Sequence, residues 1–338
     1  MNDGPNRPAP ARELQLRAAR SLIARELGAE RITALQAPNR ALDMLSIFGS
    51  IALFLLLAGQ LATGSARDPL WWLCLVLQGD LIVVMSIVNH DLFVHRKVLP
   101  PRLRWVLSQL LAWPAQIKGA IFESRHLTHH RELGTERDTE FYKRGLDSAL
   151  RRWLYITPAL LVFRSLIYRE TGVLENVKPA HGGETRVRWE KNTRRAIWVL
   201  AVASLAWDWR LFVFGYLVPL AFVAPAFNTV RIMLEHFDMD RANPLWVGTF
   251  YRTGFLSRPL FLWSTGDCHL VHHYYANIPY YRMPQALRLM RPILLREGVY
   301  EHRSLLPLLA DWFTGARSHW SLPAAAAQPS GEAEPRTA

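Results

Sequence analysis

The apolar positions of this chain are gathered into long blocks. Met44 to Ala66 contains no charged residue and is long enough to cross a bilayer, which takes about 20 apolar residues. Arg67, Asp68 and Pro69 form a short turn. A second apolar block follows from Leu70 to Asn89, broken by the single charge of Asp80. The two blocks predict a helical hairpin whose outer ends lie on one side of a membrane. Ala196 to Trp207 and Leu211 to Val230, separated by Asp208, Trp209 and Arg210, predict a second hairpin. Its first arm is short. It spans only if the helix continues into the charged residues before 196, with Arg194 and Arg195 snorkelling to the interface.

Shorter patterns lie between and around these blocks. Residues 11–33 place Ala19, Ile23 and Leu27 in one stripe among Arg and Glu, as in a helix lying along a membrane surface. Residues 101–113 repeat Leu103, Val106, Leu107, Leu110 and Leu111 at helical spacing, with Arg102 and Arg104 facing away. That segment is too short to span and reads as an interfacial helix closed by Pro114. Trp153 to Phe163 reads as a second interfacial or re-entrant segment. Residues 169–195 are polar and read as a cytoplasmic loop. Residues 322–338, rich in Ala, Pro and Glu, read as a disordered tail. The expected fold is therefore an all-α integral membrane protein with four transmembrane helices in two hairpins, interfacial helices and a cytoplasmic histidine-rich cap. It divides into an N-terminal cytoplasmic segment (1–43), a membrane catalytic domain (44–321) and the tail (322–338).

Composition supports that class. Hydrophobic residues make up 50% of the 338 residues, 13 of them Trp, and the formal net charge is +12. In a soluble protein such a charge would suggest nucleic acid. In a multi-pass protein it is the excess of Lys and Arg on the cytoplasmic side, so both termini are expected there and no nucleic-acid partner is expected. The first 43 residues mix both charges and lack the apolar core of a secretory signal. Two cysteines, Cys74 and Cys268, make no disulfide framework. Cys268 adjoins His269 but reads as a packed thiol rather than a ligand.

The histidines carry the chemistry. Nine of the twelve fall in four groups: His90 and His95; His126, His129 and His130; His236; and His269, His272 and His273. His181, His302 and His319 stand alone. Each group follows an apolar block on the expected cytoplasmic side, so groups distant in sequence reach one membrane depth. In the second and last groups the offsets i, i+3 and i+4 place three imidazoles on one helical face. His90 and His95 fit an ideal helix less well, being about 140° apart. They bind different metals, or the helix ends between them. Nine imidazoles are too many for one ion and suit two, with four or five ligands each. All-imidazole ligation admits iron, zinc, copper or nickel, but O₂ chemistry on a C–H bond needs a redox metal, which zinc is not. Of the nearby acids Asp91, Asp138, Glu140, Glu235 and Asp267, the best placed to hold a ligating ring by its second N–H are Asp91, Glu235 and Asp267. Asp80 lies about 15 Å from His90 by helical rise. It either bonds two helices together or lines a substrate tunnel.

In order along the chain come His90-x-x-x-x-His95 after a hairpin and His126-x-x-His129-His130 followed by Gly134-x-x-x-Asp138. Arg231-x-x-x-Glu235-His236 follows a second hairpin, and His269-x-x-His272-His273 has Pro279 six residues later. Over roughly residues 44–300 this pattern resembles the membrane fatty acid desaturase superfamily. The resemblance implies a non-haem di-iron site held by the nine histidines, O₂ as co-substrate, and two electrons from outside. No haem-binding or ferredoxin domain is evident, so the donor would be a separate protein such as a ferredoxin or rubredoxin with its reductase. The basic cytoplasmic face suits an acidic donor. The chain departs from the pattern in two places. The last box opens Gly266-Asp267-Cys268-His269 where many acyl desaturases have an Asn-based lead-in. No Asn stands one turn before His236: that position is Ile232, and Asn228 is eight residues away.

The expected activity is an O₂-dependent di-iron oxidoreductase acting on lipid C–H bonds, first of all a fatty acyl desaturase. Within the superfamily the alternatives are a lipid or carotenoid hydroxylase or ketolase, or a fatty acid decarboxylase. A membrane zinc hydrolase uses three or four of the histidines and leaves five unexplained. A haem-binding electron carrier would place its axial histidines within spans rather than past their ends. The segment Ile278 to Pro284 is expected to cover the site or touch the substrate's head group.

Overall fold

The computed structural model describes residues 11–133, 138–139, 149–158, 182–236, 243, 245–252, 266–302 and 304–314. The second half of the expected 153–163 segment, Gly134, Glu140, His181, His319 and the tail from 322 lie outside these residues.

Two helices, α1 (Ala11–Leu27) and α2 (Ala29–Gln36), precede the apolar blocks. One continuous helix was expected over 11–33. The chain instead breaks at Gly28, whose φ of 84° is open to glycine at little cost. The apolar stripe is also not turned to a membrane surface. Leu16, Ala19 and Ile23 of α1 and Ile32 and Leu35 of α2 are buried in one core with Leu270, Val271, Tyr274 and Met290. Periodicity reports an apolar face but not what covers it, and here the cover is protein.

Three helices are long and apolar enough to cross a membrane among the described residues: α3 (Arg40–Thr63), α4 (Pro69–His95) and α9 (Trp209–His236). The first hairpin turn forms as its residues dictate. Asp68 caps α4, its Oδ1 accepting from Leu70 N–H at 2.9 Å, and Pro69 takes the first helical position. Asp208 caps α9 in the same way through Arg210 N–H. The span α4 is central and mostly enclosed, whereas α3 leaves Leu45, Phe48, Leu55 and Leu56 exposed and α9 leaves Phe222 exposed. Such a belt of exposed apolar side chains suits a lipid surrounding. Gly79 of α4 allows close packing, since a Cβ there would lie 2.4 Å from the Val223 side chain of α9.

Helices α5 (Pro101–Ala112) and α6 (Gly119–Glu132) follow α4, then α7 (Ala149–Tyr155). Helix α5 has the predicted bounds within a residue. The expected fourth span is α8 (Gly183–Trp207). It does continue through the charged residues before 196, so 183–195 is helix rather than loop. Those charges do not snorkel as a set. Arg186 bridges Glu123 and Glu190, and Arg194 donates to Gln116 Oε1 at 2.6 Å and to the Ile117 carbonyl at 3.0 Å. The charged half of α8 is thus tied to α6 and the turn before it. Its apolar half exposes Val199, Leu200, Val202 and Trp207.

The remainder is α10 (His269–Tyr274), α11 (Met283–Arg296) and α12 (Leu305–Thr314), with β1 (Phe250–Tyr251) pairing in parallel with β2 (Glu301–His302). The segment after the last histidine box is clasped by the N-terminal helices. Tyr275 Oη donates to the Arg20 carbonyl at 2.8 Å, Tyr280 Oη meets Ser46 Oγ at 2.8 Å, and Tyr281 Oη accepts from Asn39 N–H at 2.8 Å.

Candidate metal centre

All nine grouped histidines meet where α4 and α9 end. They form two clusters: His90, His95, His126, His130 and His272, and His129, His236, His269 and His273. Within each, the candidate ligand atoms all lie within 4.8 Å of one another.

The division follows from two helices facing each other. In α6, His126 and His130 stand four residues apart and point to the five-histidine cluster, while His129 points to the other. In α10 the roles reverse. His269 and His273 serve the four-histidine cluster and His272 crosses to the five. The two span ends complete the set, α4 with His90 and His95 and α9 with His236.

His90 and His95 belong to the same cluster, against the expectation that they bind different metals or straddle a helix end. Residues His90–His95 form a π-helical turn. Its hydrogen bonds run from i+5 to i, as from Arg96 N–H to the Asp91 carbonyl at 3.1 Å. A wider turn brings side chains five apart to one face, which the 3.6-residue period used on the sequence does not.

The imidazoles converge through Nε2. In the larger cluster the Nε2–Nε2 separations are 2.7 Å for His90–His126, 3.2 Å for His90–His95, 2.8 Å for His126–His130 and 2.9 Å for His130–His272. In the smaller they are 3.2 Å for His129–His236 and 3.0 Å for both His236–His269 and His269–His273. Ligands about 2.1 Å from one ion at right angles stand about 3.0 Å apart. The tautomers agree. His236 Nδ1 faces the Val247 carbonyl at 2.9 Å, and His129 Nδ1 faces Asp138 Oδ1 at 2.8 Å. A carbonyl and a carboxylate only accept, so each Nδ1 carries the proton and each Nε2 presents a lone pair. These two lone pairs face each other at 3.2 Å. A cation bound by both turns that repulsion into ligation, so the donor set fits a transition metal in each cluster.

Burial favours the neutral ring. His130 and His273 are held well below the ordinary histidine pKa, by burial first and then by neighbouring imidazoles, His126 for the one and His130 for the other. Neutral imidazole is the form that ligates.

The acids behave differently from one another. Asp138, not one of the three acids expected to support a ring, makes the carboxylate–imidazole contact, and Glu235 Oε1 lies 3.9 Å from His269 Nδ1. Asp91 is buried but its Oδ2 accepts from Arg96 at 3.1 Å. Asp267 and Asp80 are buried, the latter within α4. Residues missed on the sequence are Arg96 and Asp43, joined at 2.7 Å beside His95. No sequence spacing signals that pair, since the partners are on different spans. With Arg40, Met44 and Asn277 they and His95 line a cleft of about 680 Å³.

Residues 69–304, well over half of the chain, match the family model described as fatty acid desaturase. The chain belongs to the fatty acid desaturase family. It is accordingly a membrane protein and an oxidoreductase of lipid substrates, with histidine clusters able to hold metal. No curated protein matches it.

Proposed function

We propose that the protein is an O₂-dependent di-iron oxidoreductase of lipid C–H bonds, acting as a fatty acyl desaturase. The observation that carries the reading is the convergence of nine Nε2 atoms into two adjacent clusters in a chain of this family. A zinc hydrolase would leave one whole cluster without a task. Iron bound to the two clusters would supply the O₂-dependent redox chemistry. In the overall balance O₂ takes up four electrons, two from the substrate's two C–H bonds and two from a separate donor, and leaves as two waters.

The chain's own residues do the holding. His129 and His236 are fixed in the ligating tautomer by Asp138 and the Val247 carbonyl. Burial and neighbouring imidazoles hold His130 and His273 in the neutral form. Packing of α1 and α11 on α10 helps keep bulk water from the buried cluster. The same reading takes the nine histidines as the ligands and Glu235 and Asp267 as supports. Asp80 of α4 becomes part of the wall along which the acyl chain lies. The α8–α9 pair serves as the second hairpin. Both termini and the metal centre lie on the cytoplasmic side, where an electron donor such as a ferredoxin or rubredoxin docks on the basic face.

The test is metal analysis of the purified protein, followed by turnover with O₂, a reductase system and a panel of acyl substrates. Two irons per chain and an O₂-dependent loss of two hydrogens are expected. Zinc alone, with no O₂ consumed across the panel, would overturn the reading. An alcohol product would move it to a hydroxylase. Lipid analysis of cells with and without the protein identifies the substrate.

A further inference from the structure

The π turn that unites His90 and His95 also unites Asp91 and Arg96. Both pairs are five residues apart, offset by one. On an α-helix neither pair would meet, since five residues turn about 500° and leave the side chains about 140° apart. Here the two ends of one π bond are clamped twice. Arg96 N–H donates to the Asp91 carbonyl at 3.1 Å, and Arg96 Nη1 donates to Asp91 Oδ2 at 3.1 Å. Arg96 also reaches α3, donating to Asp43 Oδ1 at 2.8 Å and Oδ2 at 2.7 Å. Asp43 in turn accepts from Tyr281 Oη at 3.2 Å, and the Arg96 guanidinium lies 5.8 Å from the Tyr281 ring. The three charged side chains are nearly closed to solvent, at 5% for Arg96, 2% for Asp43 and 1% for Asp91.

A π turn is a rare conformation, found often at functional sites. Nothing comparable occurs in the four-histidine cluster, where His269 and His273 are joined by the ordinary i, i+4 relation of α10.

We propose that the Asp91–Arg96 pair, anchored by Asp43, is a staple that holds the π turn and so positions His90 and His95 for the metal of the five-histidine cluster. Asp91 and Arg96 are positioning residues, and their effect is confined to one of the two sites. This rests on the reading of the clusters as metal sites.

The test uses cobalt(II) titration of the full-length metal-depleted protein in detergent, read by visible absorption and by metal per chain, without reference to turnover. The wild type is expected to bind two. Arg96→Met and Asp91→Asn are expected to weaken one of the two by at least about tenfold, as loss of supporting groups around a metal does, and to leave the other unchanged. Arg96→Lys, which keeps a cation but not the two-sided fork, is expected to fall between. Two sites of wild-type affinity in Arg96→Met would overturn the staple, as would equal weakening of both. If Arg96→Met aggregates on size exclusion, Arg96→Lys and Asp91→Asn decide: wild-type affinity at both sites in both variants overturns the staple, and one-sided weakening supports it. A wild type that binds no metal would instead overturn the metal-site reading itself.

Discussion

The imidazoles of His130 and His273 stack, with ring centroids 4.4 Å apart and planes 29° from parallel, although the two rings belong to different clusters. The clusters therefore share a wall of one imidazole from each. Replacing either ring removes a ligand from one cluster and leaves the other cluster's set complete. His130→Ala and His273→Ala are each expected to lower bound metal from two toward one per chain, and each to reduce product formation below detection. Metal content and product analysis of the two variants side by side check this. Full activity in either variant would count against a joint two-metal centre.

Asp138 holds His129 Nδ1 at 2.8 Å and lies buried with it. Asp138→Ala frees that ring to rotate and to change tautomer. Affinity at the four-histidine site is expected to fall about 10- to 100-fold, while the five-histidine site keeps its metal. Equilibrium dialysis at graded metal concentration measures the split.

Gln78 is fully buried in α4, and its Nε2 donates to the Gly215 carbonyl of α9 at 2.7 Å and to the Phe54 carbonyl of α3 at 3.2 Å. One amide thus joins three spans. Its Gly215 acceptor lies in a π turn, Val213–Leu217. Gln78→Leu keeps the volume and removes the donor. A loss of about 1 kcal/mol is expected from the interhelical bonds removed, read as a lowered unfolding midpoint in detergent with metal content unchanged.

Glu301 tethers the strand pair to α11. Its Oε1 and Oε2 accept from Arg291 at 2.8 and 2.5 Å, and Arg252 adds a bond at 3.2 Å. The bond from Arg291, opposed by burial and aided by Arg252, holds the carboxyl below its ordinary value of 4.5. A carboxylate whose pKa is depressed on folding contributes stability above its unfolded value, and that stability is lost as pH falls through the folded one. The stability gap between wild type and Glu301→Gln is therefore expected to be full at pH 7 and to close as pH drops below about 4.5. A gap independent of pH would show that the ion pairs contribute nothing.

Much of this protein was written in its apolar blocks and its histidines. The turns at Asp68 and Asp208 were legible because a capping Asp acts within two or three residues of itself. The nine histidines were legible as one constellation because each group follows an apolar block, and the structure does gather all nine. What the sequence did not determine is their division into five and four. An i, i+3, i+4 pattern puts three rings on one face of a helix, but which cluster each ring joins depends on the helix opposite, here α6 against α10. Nor could it place His95 with His90, since an α-helical period sets residues five apart on different faces and the π turn is held by tertiary contacts to Asp43. The length of α8, the protein cover over the α1 stripe, and the choice of Asp138 to face the His129 ring were likewise decided by packing between distant segments. Local chemistry determined which residues carry the metal-binding potential. Only the folded chain decided which of them face one another, because that depends on side chains meeting across helices far apart in sequence.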